Sequence, residues 1–240
     1  MVDIGGGTSD FTLIRVGPER AGRTDRRDDI LARGGVHIGG VDFDKQLSLS
    51  TVMPRLGLGT QFNNGKDVPS TQYANLACWH TINTAYSKKA WEHFAFIRAQ
   101  AAEKDKIDLL LKLVKERSGH WLAMQVEQAK ITLSDADRAS IDMSRIAAGQ
   151  SEPVTRQTFD DSAHRLVAKV AATVTALLAD AGVDPGQLDT LFFTGGSSRI
   201  PLLRQRLSAL APLAKSREGD LFGSIGAGLA LDAARRFGQR

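Results

Sequence analysis

Three consecutive glycines, Gly5-Gly6-Gly7, stand between an apolar start, Met1 to Ile4, and a β-prone run, Phe11 to Val16. Lacking a Cβ, such a run stops a strand and lets backbone pass close to another group. The two flanking runs are therefore expected to pair as a hairpin around that turn. A second interruption of the same kind, Gly195-Gly196, follows the apolar run Leu188 to Phe193 and precedes a helical pattern, Pro201 to Leu210.

The rest of the chain is read around these two turns. A third short strand is expected around Ile30 to Arg33, then the glycine clusters Gly34-Gly35 and Gly39-Gly40, then a helix over Asp42 to Leu49. From about Val52 to Leu122 long helical patterns carry Trp79, Trp91 and Trp121, and Ile107, Leu110, Leu111 and Val114 recur at helical spacing on one face. A helix from about Leu122 to Ser134 and a strand around Ser140 to Arg145 follow. Phe159 to Ala181 then reads as a long amphipathic helix closed by Gly182, and a last helix spans about Phe222 to Phe237. Helices alternating with strands point to an α/β fold, and the opening hairpins make its sheet mixed rather than all parallel. The expected division is a core α/β subdomain of residues 1–50 and 146–240, with a mainly helical upper subdomain at 51–145.

Composition narrows the function classes. With 240 residues, 42% hydrophobic and 24% charged, the chain belongs with globular proteins and can bury roughly 70% of its open-chain surface. Its net charge of +4 is mild. The basic stretch Arg20 to Arg27 is interleaved with acids and has no aromatic stacking partners, so it reads as a solvated loop and no nucleic-acid partner is expected. The single Cys78 has no partner cysteine for an intramolecular disulfide or a structural zinc site. No run approaches ~18 apolar residues and no signal-peptide pattern opens the chain, so no membrane partner and a cytoplasmic location are expected. His80, His93 and His120 lack metal-ligand spacing and read as core or surface residues.

Asp3-Ile4-Gly5-Gly6-Gly7-Thr8-Ser9-Asp10 carries the most chemistry. Glycine amides and the Thr8 hydroxyl can donate to phosphate, and carboxylates on either side suit hydrated Mg²⁺, which keeps several of its waters. The same run is also compatible with a plain glycine-rich hairpin turn. Thr194-Gly195-Gly196-Ser197-Ser198-Arg199-Ile200-Pro201 repeats the logic at a strand-to-helix junction, where a helix start would attract an anion. It matches neither the G-x-G-x-x-G nor the P-loop pattern.

Taken in order, these stretches resemble the DnaK-type heat-shock chaperone ATPases of the actin-like ATPase superfamily. Asp3 to Asp10 is similar to that family's second phosphate motif, Gly39-Gly40-Val41-Asp42-Phe43-Asp44 to the segment after its third strand, and Thr194 to Pro201 to its adenosine motif. Glu127 to Ser134 resembles its nucleoside-gripping helix. The resemblance implies an actin-like (ribonuclease H-like) second lobe that binds ATP or ADP with Mg²⁺. Asp3 and Asp10 would hold Mg²⁺ through water, and Gly5, Gly6, Gly7 and Thr8 would meet the β- and γ-phosphates, with Asp3, Thr8 and Asp10 as the catalytic set. Gly195 and Gly196 would meet the α- and β-phosphates, with Ser197 also among the nucleotide-binding residues. Glu127, Lys130 and Ser134 would reach ribose and adenine, Arg199 and Ile200 would close on the base, and Asp220 would lie nearby. Taken alone, Glu127 and Lys130 also fit an i, i+3 surface pair.

Two positions depart from the family pattern: Ile131 stands where an arginine stacks on adenine, and Val41 where glutamate is usual. The stretch between Asp44 and Glu127 is longer than in DnaK and, far above ~15 residues, is expected to be a folded helical insertion, which points to the YegD-like branch. The first lobe, with its lysine and catalytic glutamate, would precede Met1, so hydrolysis is expected only in an intact two-lobed protein, where unfolded polypeptide or a co-chaperone would be further partners. Two alternatives stay open: a non-hydrolysing interaction module acting through its tryptophans, and a fragment of a sugar-kinase-like ATPase.

Overall fold

Val2–Ile4 (β1) and Ser9–Ile14 (β2) pair antiparallel with Ile4 opposite Ser9, so the glycines form the hairpin loop, which Gly5 N–H closes on Thr8 O at 3.0 Å. The computed structural model describes every residue except Ala21, Thr24, Asp220, Leu221, Phe222, Gln239 and Arg240. In chain order the further elements are Ile30–Val36 (β3), Gly40–Ser50 (α1), Val52–Arg55 (α2), Thr71–Leu76 (α3), Lys88–Gln100 (α4), Lys104–Lys115 (α5) and Gly119–Asp135 (α6). Arg138–Asp142 (β4), Ser151–Thr155 (β5), Arg156–Asp180 (α7), Thr190–Thr194 (β6), Pro201–Leu210 (α8), Lys215–Glu218 (β7) and Ser224–Phe237 (α9) complete it. The chain divides into two compact units, residues 1–40 with 165–240 and residues 41–164.

The first unit is built on a sheet ordered β3-β2-β1-β6-β7. β1 is antiparallel to β2 and parallel to β6, and β7 is parallel to β6, so the sheet is mixed as expected. Val2, Ile4, Phe11, Leu191 and Phe193 are buried on it, with Val167, Val170, Val174 and Leu178 of α7 and Leu203 and Leu207 of α8 completing the core. β3 runs through Gly34-Gly35 instead of stopping before them, and a Cβ on Gly34 would touch the Leu177 side chain at 3.2 Å. Gly182 closes α7 in the left-handed region at φ 65°, with Val183 N–H bonded to Leu178 O and Gly182 N–H to Ala179 O, the paired bonds of a Schellman end. β7, whose residues are all charged or hydroxylic and all exposed, carries no apolar alternation and was not expected. In the Arg20 to Arg27 stretch Gly22, Arg23, Asp25 and Arg27 are exposed, while Arg20 and Arg26 turn in to the buried Asp29, which accepts from both and whose carboxyl they hold below the usual range.

The second unit is mainly helical. Ile107, Leu110, Leu113 and Val114 make the buried stripe of α5, with Leu113 taking the place expected of Leu111. Tyr73 is fully buried and donates to Leu56 O at 3.2 Å. The β4–β5 ladder pairs Ser140 with Pro153, a residue that argues against a strand in sequence but is tolerated in a two-stranded ribbon with free edges. No helix among the described residues is long and apolar enough to cross a membrane.

Candidate functional site

In the first unit the sheet brings the two glycine turns together. β1 and β6 are parallel with Asp3 opposite Thr194, so Gly5-Gly6-Gly7 and Gly195-Gly196 both leave the carboxyl ends of neighbouring strands, the usual place for a ligand crevice in such sheets. The contact is tight: a Cβ on Gly195 would lie 2.4 Å from Ile4 O and 2.6 Å from Asp3 Oδ1, and Gly195 also needs the left-handed φ of 78°. Gly39 closes the other side, since its Cβ would sit 2.5 Å from Gly7 N and 2.6 Å from Gly6 O. Gly40 N–H donates to Gly5 O at 2.9 Å, and the buried Ser9 hydroxyl donates to Ile38 O at 2.7 Å. The hairpin loop is thus held by backbone contacts on two sides.

Gly6 and Gly7 differ from these two glycines. A Cβ at either would meet nothing within 4 Å among the described residues, and neither lies in the left-handed region. Their amides have no hydrogen-bond acceptor among the described residues. Packing among the described residues does not require glycine there.

Asp3 and Asp10 face each other across β1 and β2. Burial, and then the charge of Asp10, push the Asp3 carboxyl up. Asp10 is exposed and accepts from the Thr8 hydroxyl at 2.8 Å. Gly35 lies opposite Asp10, where a Cβ would come within 3.0 Å of Asp10 Oδ1. Two like charges held opposite one another are unfavourable alone, and a divalent cation with its water shell relieves them. Among the described residues no three His, Cys, Asp or Glu side chains gather into a metal site.

The second turn departs from expectation in one respect. After Gly195 the chain makes a short 3-10 turn, Gly196–Arg199, and α8 begins only at Pro201. The residue before a proline is pushed out of the α region, and Ile200 sits at φ −58°, ψ 117°, so the glycines meet a 3-10 turn and not the start of α8. Arg199 is exposed and Ser197 buried, while Ile200, expected to close on a base, is 1% exposed and belongs to the core. Asp220 lies outside the described residues.

In the second unit α6 carries Glu127, Lys130 and Ser134. Glu127 is exposed, as are Met124 at 54% and Ile131 at 46%, and these lie one turn apart on the same helix face. Lys130 is buried and its ammonium lies 2.9 Å from Asp44 Oδ1 and 3.0 Å from Asp44 Oδ2, so it reaches into the unit toward α1. Burial raises Asp44 to about 6; Lys130 pulls against that, and Glu127 and Asp42 add to it. Ser134 Oγ donates to the Lys130 carbonyl at 3.3 Å. Asp44 is the residue that reading the sequence left without a role: it lies 86 positions from its partner, and no local pattern announces the pair.

A family model described as Hsp70 protein matches residues 90–233. Chaperone protein HscA of Salmonella paratyphi B is 35% identical over 112 residues, 47% of this chain and 16% of that protein. Chaperone protein HscA of Cronobacter sakazakii is 33% identical over 140 residues, 57% of this chain and 21% of its own length. The alignments thus span between about a sixth and a fifth of the curated relatives they match.

Proposed function

The chain belongs to the Hsp70 family, its fold is that of an actin-like ATPase lobe, and from that premise we propose that it binds Mg-ADP and Mg-ATP as the second lobe of a chaperone ATPase. The observation that carries this is the pairing of Asp3 with Asp10 on one side and Thr194 on the other, which sets two glycine turns and two carboxylates at one end of the sheet. In the first unit, Gly5, Gly6, Gly7 and Thr8 would donate to the β- and γ-phosphates, and Gly195, Gly196 and Ser197 to the α- and β-phosphates. Asp3 and Asp10 would orient the waters of Mg²⁺, whose charge offsets that of the phosphates. In the second unit, Glu127 would accept from ribose hydroxyls, with Lys130 and Ser134 as donors. Ile131 would offer adenine an aliphatic surface in place of a cation, which loosens base affinity. Arg199 remains the exposed cation able to lie on the base.

Positioning of the attacking water and the remaining charge stabilisation would come from a first lobe, so this chain alone is expected to bind nucleotide with negligible turnover. The helical insertion favours the YegD-like branch, with unfolded polypeptide or a co-chaperone as partners of the intact protein. Thermal melting tests the binding claim: Mg-ADP should raise Tm and EDTA should remove the gain, whereas no shift at millimolar Mg-ADP overturns it. A second reading, an interaction module of the same fold, is favoured by the exposure of Trp79 and Trp91 at 42% and 39%. It predicts a Tm indifferent to nucleotide.

A further inference from the structure

Lys130 is the one member of the proposed nucleoside-binding set on α6 whose charged group is buried within its own unit. Its side chain is 8% exposed and that of Asp44 17%, and both carboxylate oxygens lie within 3.0 Å of the ammonium. An ammonium has three rotatable donors on a flexible stem, so its direction is set by what receives it. With two contacts on one carboxylate, the direction of the Lys130 head is fixed by α1. The Asp44 backbone is itself well placed, because the neighbouring Phe43 of α1 is fully buried with its ring edge-on to Phe159 at 6.5 Å.

We propose that Asp44 is a positioning residue for nucleotide recognition, holding the Lys130 ammonium in the orientation from which it donates to the nucleoside. The inference rests on the nucleotide-binding reading above and adds to it a residue that touches no ligand itself. The charged groups bearing on Asp44 are Lys130 and Glu127 from α6 and Asp42 from its own helix. Two acids beside a buried acid oppose its ionisation, and Lys130 favours it, so the hold on Lys130 exists only while Asp44 is ionised. Nucleotide affinity should therefore depend on pH through Asp44, a signature that a purely structural role would not give.

The test compares Mg-ADP affinity of the whole chain and of Asp44→Asn at pH 7.5 and pH 5.0, by calorimetry, with Tm measured alongside. Protonation of the nucleotide is common to both proteins, so the ratio of their affinities reports the side chain alone. We expect Asp44→Asn to bind about tenfold more weakly at pH 7.5, the worth of one charge-assisted contact, and the ratio to approach one at pH 5.0. Asp44→Glu should recover part of the loss at pH 7.5. If Asp44→Asn does not fold, Asp44→Ser takes its place with the same expected ratios. A ratio that is the same at both pH values, at unity or above it, overturns the proposal while leaving nucleotide binding intact. Failure of the unaltered chain to bind Mg-ADP at pH 7.5 overturns the binding reading, and the role of Asp44 falls with it.

Discussion

A methyl group added at Gly6 meets no atom of the described residues within 4 Å, whereas one added at Gly39 lies 2.5 Å from Gly7 N. The two substitutions therefore separate folding from binding. Gly6→Ala should leave Tm within a degree or two of the parent and abolish the Mg-ADP shift. Gly39→Ala should cost about 3 kcal/mol, since backbone and not a flexible side chain must move, and Gly195→Ala at least as much, because its left-handed φ adds to the clash. Asp3 and Asp10 make a similar pair of demands. Asp3→Asn removes a like-charge contact and should stabilise the nucleotide-free chain by roughly 0.5 kcal/mol, while calorimetry shows weakened, Mg-independent nucleotide binding. These residues were legible in the sequence because the signal is local: three glycines between two strands with an acid at each side. Lys130 was legible only as a residue type, since its environment depends on Asp44, a contact between helices far apart in the chain.

At the scale of elements, α1 and α6 are joined by that buried ion pair, and its titration should be visible in stability. Asp44 sits at about 6 in the native chain, against roughly 4 for an unfolded aspartate. The native state thus holds the proton between those values, and this group's contribution to stability falls as pH rises from about 4 to about 6. Asp3 and Asp160, both raised chiefly by burial, act in the same sense. Asp25 and Asp29, lowered by their arginines, act in the opposite sense but only in more acidic solution. Tm by calorimetry should be higher at pH 5 than at pH 7.5, with most of the difference lost in Asp44→Asn. A Tm that climbs steadily from pH 5 to pH 7.5 contradicts this. Elements with their own periodicity, α5, α7 and α8, were readable from sequence. β5 and β7 were not, because Pro153 and a run of exposed Lys, Ser, Arg and Glu become strands through a neighbouring strand and not through local preference. Arg117 is a further example: it takes the left-handed C-terminal position of α5 at φ 51°, a place usually filled by glycine. Gly119 is a glycine for a different reason, since a Cβ there would sit 2.6 Å from the Tyr86 hydroxyl that caps α6.

For the whole molecule, the compact units meet along the chain at 40/41 and 164/165, so residues 41–50 and 146–164 fall in the helical unit. The mixed sheet and flanking helices follow from alternation visible in sequence, and the family follows from motifs that the sheet then sets side by side. The central claim is that the two glycine turns of the first unit hold the phosphates of a nucleotide. Amide NMR of the isotopically labelled chain during a Mg-ADP titration tests it most directly, because glycine amides are resolved and each turn reports separately. The account predicts saturable shifts at Gly6, Gly7, Thr8 and Gly196, lost in Gly6→Ala and on adding EDTA. A titration to millimolar Mg-ADP that leaves these four amides unmoved would contradict it.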